Sequence, residues 1–200
     1  MERFRVSTGI FVIVLVLVSV QFITLSPSDL CWGKEGTSSA TIQQIKQNIK
    51  TEGIKANEGN LNLVAQTILE ESLRHGMDYR LILAIMKVES NYRQYVISPD
   101  GAMGFMQIKP LLAGEIAKEA GIQYSGLKDL FDPQKNIRLG IYYIAKLIDM
   151  FDDFPTALFA YNVGHNKAKK LLAADKDPHT SYTKRVIAEY KKNTKKMISL

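Results

Sequence analysis

One carboxylate stands out against apolar surroundings in the segment whose hydrophobic spacing predicts a helix from Tyr79 to about Asn91. Glu89 shares a face of this helix with Ile82, Ile85 and Met86. Burial among such neighbours disfavours the charged form, so we expect the pKa of Glu89 to rise. A raised carboxyl pKa suits a general acid near neutral pH. A glutamate that is partly solvated at the helix end, or paired with a basic side chain, would explain the pattern equally well.

Two short segments after this helix are suited to lining a polar site. Residues 98–101 read Ser-Pro-Asp-Gly, which is typical of a tight turn that would bring residues 104–107 (Gly-Phe-Met-Gln) back towards Glu89. Glycine at 104 allows close backbone approach, and Gln107 offers a donor and an acceptor without charge. Phe105 and Met106 are, each taken alone, more typical of core packing.

A third segment, residues 160–164, reads Ala-Tyr-Asn-Val-Gly. Tyr161 can direct its phenol into the same cleft, while Asn162 and Gly164 end a helix. A buried tyrosine that merely satisfies its hydroxyl would account for Tyr161 as well.

Helices must position these groups, because almost every segment after Leu61 has helical hydrophobic spacing. Only residues 102–108 could form a brief strand. We therefore predict a mostly α fold of six or seven packed helices with at most a very short β element. The expected helices begin near residues 61, 79, 110, 133, 154 and 181.

Several boundaries follow from local signals. Asp78 is expected to cap the helix that carries Glu89, and Gly121 to end the helix that begins at Pro110. Residues 33–39 look like a linker, followed by a short helix with Thr41 as its N-cap. Leu73 is assigned to the apolar stripe of the helix that begins near residue 61, together with Leu61, Val64 and Ile68.

The N-terminal segment predicts export. Arg3 and Arg5 precede an apolar run of 17 residues, 9–25, which is just long enough to cross a bilayer as a helix. Basic residues before such a run send the remainder of the chain across the membrane. We expect a signal peptide or membrane anchor at 1–33, a linker and short helix at 34–60, and a catalytic domain at 61–200.

Composition excludes several other classes of protein. The 200 residues are 46% hydrophobic and 23% charged, as in a globular domain. A single cysteine and three scattered histidines provide no metal-ligand spacing, so neither a metal nor a cofactor is expected.

The net charge of +6 is concentrated near the C-terminus. Residues 166–200 hold ten Lys or Arg against three acids. Such a surface attracts polyanions, here anionic wall polymers or a membrane surface, although a solvated helix face is the simpler explanation. Nucleic acid is not an expected partner of an exported chain.

Taken together, three motifs resemble the catalytic domain of the soluble lytic transglycosylases. They are Glu89-Ser90, the Gly-Phe-Met-Gln of 104–107 and the Ala-Tyr-Asn of 160–162, in that order and spacing. The resemblance covers about residues 61–192, including the Asn-Ile-Arg-Leu-Gly of 136–140. It implies a lysozyme-like helical fold of the goose type and cleavage of peptidoglycan glycan strands in the cell envelope.

The resemblance also assigns roles to single residues. Glu89 matches the family's single acid/base, and Ser98 matches a hydroxyl that hydrogen-bonds it. Met106 and Gln107 match residues that contact sugar, and Tyr161 matches a tyrosine near the reacting centre. Two further matches are Asn162, for which a structural role is as plausible, and Tyr182, a tyrosine of the family pattern.

This sequence departs from the family pattern at two positions. Phe105 replaces a common leucine, and His179 stands where an acid is common, so contacts to distant sugars or peptides are expected to differ.

One carboxylate suffices if the substrate supplies the nucleophile. Glu89 would protonate the glycosidic oxygen and then, as carboxylate, take the proton from the 6-hydroxyl of N-acetylmuramic acid, giving a 1,6-anhydro end. Ordinary glycosidases use two carboxylates, so a hydrolytic lysozyme would need a second acid such as Asp100. A non-catalytic wall-binding scaffold is the remaining alternative.

Overall fold

The computed structural model describes the backbone of residues 27–52 and 58–198, and the side chains of 38–52 and 58–197. These parts of the chain are mostly helical, with one short 3-10 helix at Leu127–Phe131. The α helices are α1 (Pro27–Thr51), α2 (Glu58–Arg74), α3 (Tyr79–Ser90), α4 (Pro110–Ile116), α5 (Pro133–Phe151), α6 (Phe154–Val163), α7 (His165–Leu172) and α8 (Ser181–Ile198).

Local capping determines where three of these helices begin. The carboxylate of Asp78 accepts from the Arg80 amide at 2.9 Å, and that of Asp132 accepts from the Lys135 amide at 2.9 Å. Asp153 caps α6 in the same way. Such caps satisfy amides that have no partner inside the helix, and the predicted starts of α3, α5 and α6 are confirmed.

Other expectations are corrected. α4 ends at Ile116 rather than at Gly121, and α7 follows α6 directly although the sequence did not predict it. Leu73 is 70% exposed, so it does not belong to the buried stripe of α2. It lies in the last turn, where the helix passes beyond the edge of the core.

The predicted linker at 33–39 is helical, because α1 begins at Pro27. Thr41 therefore lies inside α1 and does not cap a helix. Ile45 and Ile49 are buried in the same apolar cluster as the helices from α2 onward. Once a helix is anchored in this way, each added residue costs less than nucleation did, so α1 extends towards its N-terminus.

The core surrounds α5, which packs against α2 on one side and α6 on the other. α8 packs along α3 and also touches α6, and α1 packs on α2. The arrangement brings the end of α3 and the start of α8 close together, although the two lie far apart in the sequence.

The predicted brief strand is reduced to single bridges. Met103 pairs with Ile97 and with Ile108, and no longer strand forms in the described part of the chain.

The predicted membrane segment, residues 9–25, lies outside the described residues. Among the helices that the structure does describe, none combines the length and the apolar character needed to cross a bilayer. The domain division and the N-terminal anchor remain predictions.

Candidate active site

One open cleft of about 580 Å³ contains Glu89, Ser98, Gln107, Tyr161 and Asn162, which are all but Met106 of the candidate site residues. Its walls are formed by the end of α3, the 98–107 segment, α4 with its N-cap, the end of α6, the start of α7 and the start of α8, together with Tyr143 of α5. Its volume is typical of a ligand-binding site, and its mixed lining suits a polar ligand.

Glu89 lies in the last turn of α3, where Ile82, Ile85 and Met86 are fully buried beneath it. Burial raises the pKa of Glu89 from 4.5 to about 7, although a hydrogen bond from Tyr182 and the charge of Arg185 both act to lower it. About half of the molecules therefore keep this carboxyl protonated at neutral pH, as a general acid requires.

Tyr182, in the first turn of α8, donates its hydroxyl to Oε1 of Glu89 at 2.5 Å. Burial, together with the nearby Glu89, raises the pKa of the Tyr182 phenol well above its usual range. Tyr182 thus remains a donor over the pH range in which Glu89 titrates, and it fixes one carboxyl oxygen.

Tyr161 is buried at the back of the cleft and donates its hydroxyl to the Met106 carbonyl at 2.8 Å. Its ring packs against Tyr143 with centroids 5.5 Å apart. The Tyr161 hydroxyl is thereby directed to the protein backbone, and its position near Glu89 is fixed by this bond.

The predicted turn forms, since the Gly101 amide donates to the Ser98 carbonyl at 2.9 Å. Ser98 lines the cleft, but its hydroxyl oxygen accepts from the Ala102 amide at 3.0 Å. In this structure the partner of the Glu89 carboxyl is therefore Tyr182, while the Ser98 hydroxyl stabilises the turn. Gln107 lines the cleft, and its side-chain amide donates to the carbonyls of Gly104 and Val96.

Asn136, fully buried in the first turn of α5, holds the 103–106 backbone in place. Its amide donates to the carbonyls of Met103 and Leu130, and its oxygen accepts from the Met106 amide, each within 2.9 Å. Ser90 adds a bond from its hydroxyl to the Phe105 carbonyl at 2.8 Å. The residue next to Glu89 thus ties α3 to this segment.

Met106 does not fulfil its predicted role. Its side chain is fully buried, close against Gly140 of α5, and it is absent from the cleft wall. A side chain without exposed surface cannot contact a sugar, so the contribution of Met106 to the site is its backbone carbonyl. This outcome agrees with the core packing that methionine favours.

Other residues of the cleft are exposed. Asn162 lies near the end of α6 and lines the cleft. Asp100 and Glu115 also line it and are exposed, without an ion pair in the described structure. No group of three metal-ligating side chains gathers within the described ranges.

Sequence reasoning missed two residues that position the site. The sequence analysis identified Tyr182 only as a tyrosine of the family pattern and Asn136 only as one residue of the 136–140 motif, without a role in the site for either. A polar residue one turn into a predicted apolar helix was the available signal for Asn136. No local signal links Tyr182 to Glu89, because 93 positions separate them.

The chain is similar to known proteins over its central part. Residues 66–183 match the family model described as "Transglycosylase SLT domain". Membrane-bound lytic murein transglycosylase C of Klebsiella pneumoniae subsp. pneumoniae is 36% identical over an alignment of 121 residues, which covers 54% of this chain and 33% of that protein. Membrane-bound lytic murein transglycosylase F of Desulfosudis oleivorans is 33% identical over 103 residues, covering 48% of this chain and 21% of that protein.

Solved structures share the fold. An inactive Glu→Gln mutant of the lytic transglycosylase Slt from Pseudomonas aeruginosa superposes with a TM-score of 0.59 at 26% identity, over 66% of this chain and 24% of that one. The 70 kDa soluble lytic transglycosylase of Escherichia coli gives 0.60 at 23% identity, over 80% and 30%. The chain spans about a third of the length of the curated transglycosylase C relatives.

Proposed function

Because the chain belongs to the Transglycosylase SLT domain family, we propose that it cleaves peptidoglycan as a lytic transglycosylase. The bond cleaved is the β-1,4 bond between N-acetylmuramic acid and N-acetylglucosamine, and the product carries a 1,6-anhydro end. Relatives that match the chain are named lytic murein transglycosylases, which supports this substrate class.

The observation that carries the proposal is a carboxyl whose pKa is about 7, set in a cleft and hydrogen-bonded by a tyrosine. Glu89 is half protonated near neutral pH, so it can both give and accept a proton in one catalytic cycle. A carboxyl with an ordinary pKa would be too weakly protonated for the first of these steps.

In the first step the Glu89 carboxyl donates its proton to the glycosidic oxygen, and the bond from that oxygen to the muramoyl anomeric carbon breaks. The freed glucosamine unit leaves with a 4-hydroxyl. In the second step the Glu89 carboxylate takes the proton of the muramoyl 6-hydroxyl while this oxygen bonds to the anomeric carbon. Glu89 is protonated again at the end, and no water is consumed.

The Tyr182 hydroxyl can serve both steps. It fixes Oε1, so that the other carboxyl oxygen remains to exchange the proton, and it stabilises the carboxylate between the steps. We place the sugar rings along the cleft wall formed by Ser98, Gln107, Tyr161 and Asn162.

Product analysis tests this function. Purified peptidoglycan would be digested with the full-length protein, and the released fragments analysed by mass spectrometry. We expect each new muramoyl end to be 18 Da lighter than the corresponding reducing end, because the anhydro bond replaces water. Reducing ends alone would contradict the proposal, and so would an absence of cleavage.

Tyr182→Phe is expected to lower kcat about tenfold, because a hydrogen bond to a charged group is lost. That bond lowers the pKa of Glu89, so its removal should raise the pKa and move the falling alkaline limb of the kcat/KM profile to higher pH. The measurement is a pH–rate profile on solubilised glycan. Tyr124→Phe, which removes a phenol hydroxyl outside the cleft, is the control and should leave both kcat and the alkaline limb unchanged. If the alkaline limb of Tyr182→Phe did not move, the result would contradict the effect of Tyr182 on the pKa of Glu89.

Hydrolysis on the same fold is the second candidate, because Asp100 is an exposed carboxylate in the wall of the same cleft. A hydrolase would need it to activate water, whereas the proposed reaction does not. We expect Asp100→Asn to keep at least half of the wild-type rate, since Asp100 belongs to a turn. A loss above a hundredfold, with reducing ends in the wild-type products, would favour hydrolysis.

We also propose that the protein acts in the cell envelope. Relatives are named membrane-bound, and the apolar run at 9–25 is suited to export or anchoring. Two predictions concern the ends of this chain: residues 9–25 serve as a signal peptide or membrane anchor, and the basic C-terminal stretch binds anionic wall polymers or a membrane surface.

A further inference from the structure

Three cations line the cleft without a carboxylate partner. Lys109, Lys167 and Arg185 are exposed and make no ion pair in the described structure. By contrast, many surface cations elsewhere are paired, as Lys146 is with Glu119. Unpaired cations in a cleft attract an anionic ligand.

Arg185 is the cleft cation whose charge acts on Glu89. It follows Tyr182 by one turn of α8, so the two side chains lie on the same face of that helix. Among the charged residues of the cleft, Arg185 alone acts on the charge state of Glu89. Lys109 and Lys167 lie on other walls and have no such effect.

This position is unfavourable for acid catalysis if Arg185 stays unpaired. A positive charge beside Glu89 lowers its pKa, which weakens the proton donor that the first step needs. Tyr182 and Tyr161 are the other titratable groups close to Glu89, and both stay neutral at pH 7. Glu89 therefore compensates the charge of Arg185 only in the half of the molecules in which it is ionised. The other carboxylates of the cleft, Asp100 and Glu115, make no ion pair with Arg185 in the described structure, so an anion that arrives with the substrate would complete the compensation.

We propose that Arg185 binds a carboxylate carried on the side arm of the muramoyl unit next to the bond that is cleaved. This inference rests on the proposed function and adds a specificity residue to it. N-acetylmuramic acid differs from N-acetylglucosamine by a 3-O-lactyl arm, which ends in a carboxyl group or continues into a stem peptide with carboxylates. Arginine presents a planar fork that pairs with a carboxylate through two hydrogen bonds.

The test compares three tetrasaccharides as ligands of the full-length Glu89→Gln protein, in which turnover is blocked. One contains only N-acetylglucosamine and is neutral, the second alternates it with N-acetylmuramic acid bearing free lactyl groups, and the third carries stem peptides on those groups. Affinities would be measured by titration calorimetry with and without Arg185→Gln. Lys184→Gln is the matched control, because Lys184 is the adjacent exposed cation but does not line the cleft.

We expect Arg185→Gln to weaken binding of at least one muramoyl ligand about tenfold, in line with the loss of one charge-assisted pair. Binding of the neutral ligand should change less than twofold, and Lys184→Gln should affect none of the three. A loss confined to the second ligand identifies the lactyl carboxylate, and one confined to the third identifies the stem peptide. Arg185→Lys should restore part of the affinity, because the charge returns without the fork.

Equal weakening of all three ligands, or of none, would overturn the proposal. A shift of the pH–rate profile in the Arg185→Gln variant of the active protein, without a change in ligand preference, would overturn it as well, since Arg185 would then act only on Glu89. The proposed function is judged separately by the anhydro ends of the wild-type products, so either idea can fail while the other stands.

Discussion

Glu89→Gln should reduce the rate of peptidoglycan cleavage by about a thousandfold or more, because the amide can neither donate nor accept the proton in the two proposed steps. The change keeps the size of the side chain, and its carbonyl oxygen can still accept from the Tyr182 hydroxyl. Release of anhydro fragments per unit time is the measurement. Glu70→Gln, an exposed glutamate of α2 outside the cleft, is the matched control and should remain fully active.

Stability provides a second measurement on the same variant. The pKa of Glu89 is 4.5 in the unfolded reference and about 7 in the folded protein. Below pH 4.5 both states are protonated. Between pH 4.5 and 7 the unfolded state gives up this proton while the folded state keeps it, so the free energy of unfolding falls over this range and levels off above pH 7. The cost to folding reaches about 3 kcal/mol above pH 7.

Glu89→Gln removes this cost, so the variant should unfold at a higher temperature than the wild type at pH 8 and at a similar temperature at pH 4. Residual activity near the wild-type level would show that Glu89 is not the acid. A Tm equal to that of the wild type at both pH values would show that Glu89 is not held in an unfavourable environment. The proposed active site thus implies a gain in stability when its main residue is lost.

Gly104→Ala should lower the free energy of unfolding by about 3–5 kcal/mol. Gly104 adopts φ +78°, and an added Cβ would lie 2.4 Å from the Leu130 carbonyl oxygen and 2.5 Å from Nδ2 of Asn136. Neither group can move freely, because Asn136 is fully buried and holds three backbone partners. Denaturant unfolding at pH 7 measures the loss.

Gly101→Ala is the matched control for this prediction. Gly101 has the same φ of +78°, but an added Cβ there would meet nothing within 4 Å. It should cost about 1–2 kcal/mol, the penalty of the left-handed conformation alone. The difference between the two variants measures the contacts with the Leu130 carbonyl and Asn136 together, and equal losses would mean that these contacts are not what requires a glycine at position 104.

Much of the fold could be predicted from local pattern. The starts of α3, α5 and α6 follow from Asp78, Asp132 and Asp153, whose carboxylates cap amides two or three residues away. The end of α4 was predicted wrongly, and α7 was not predicted. α7 has only eight residues and directly follows Gly164, so it is too short for hydrophobic spacing to mark it as a helix separate from α6.

The candidate site divides in a similar way. Glu89, Gln107, Tyr161 and Asn162 line one cleft, as the order of the three motifs indicated. Met106 was assigned to the cleft by the family resemblance, whereas the residue type alone favoured the core packing that the structure shows. Met106 packs against the buried Gly140, which lies on α5 and is distant from Met106 in the sequence.

The sequence alone determined the mostly α fold, the positions of the capped helices and an apolar face around Glu89, because caps and helical periodicity depend on residues within one or two turns. Only the tertiary structure decided that Tyr182 hydrogen-bonds Glu89, that Arg185 opposes its protonation and that Asn136 holds the intervening segment. These contacts depend on how α3, α5 and α8 pack. The raised pKa of Glu89 arises from desolvation by that whole arrangement, which no single segment of the chain specifies.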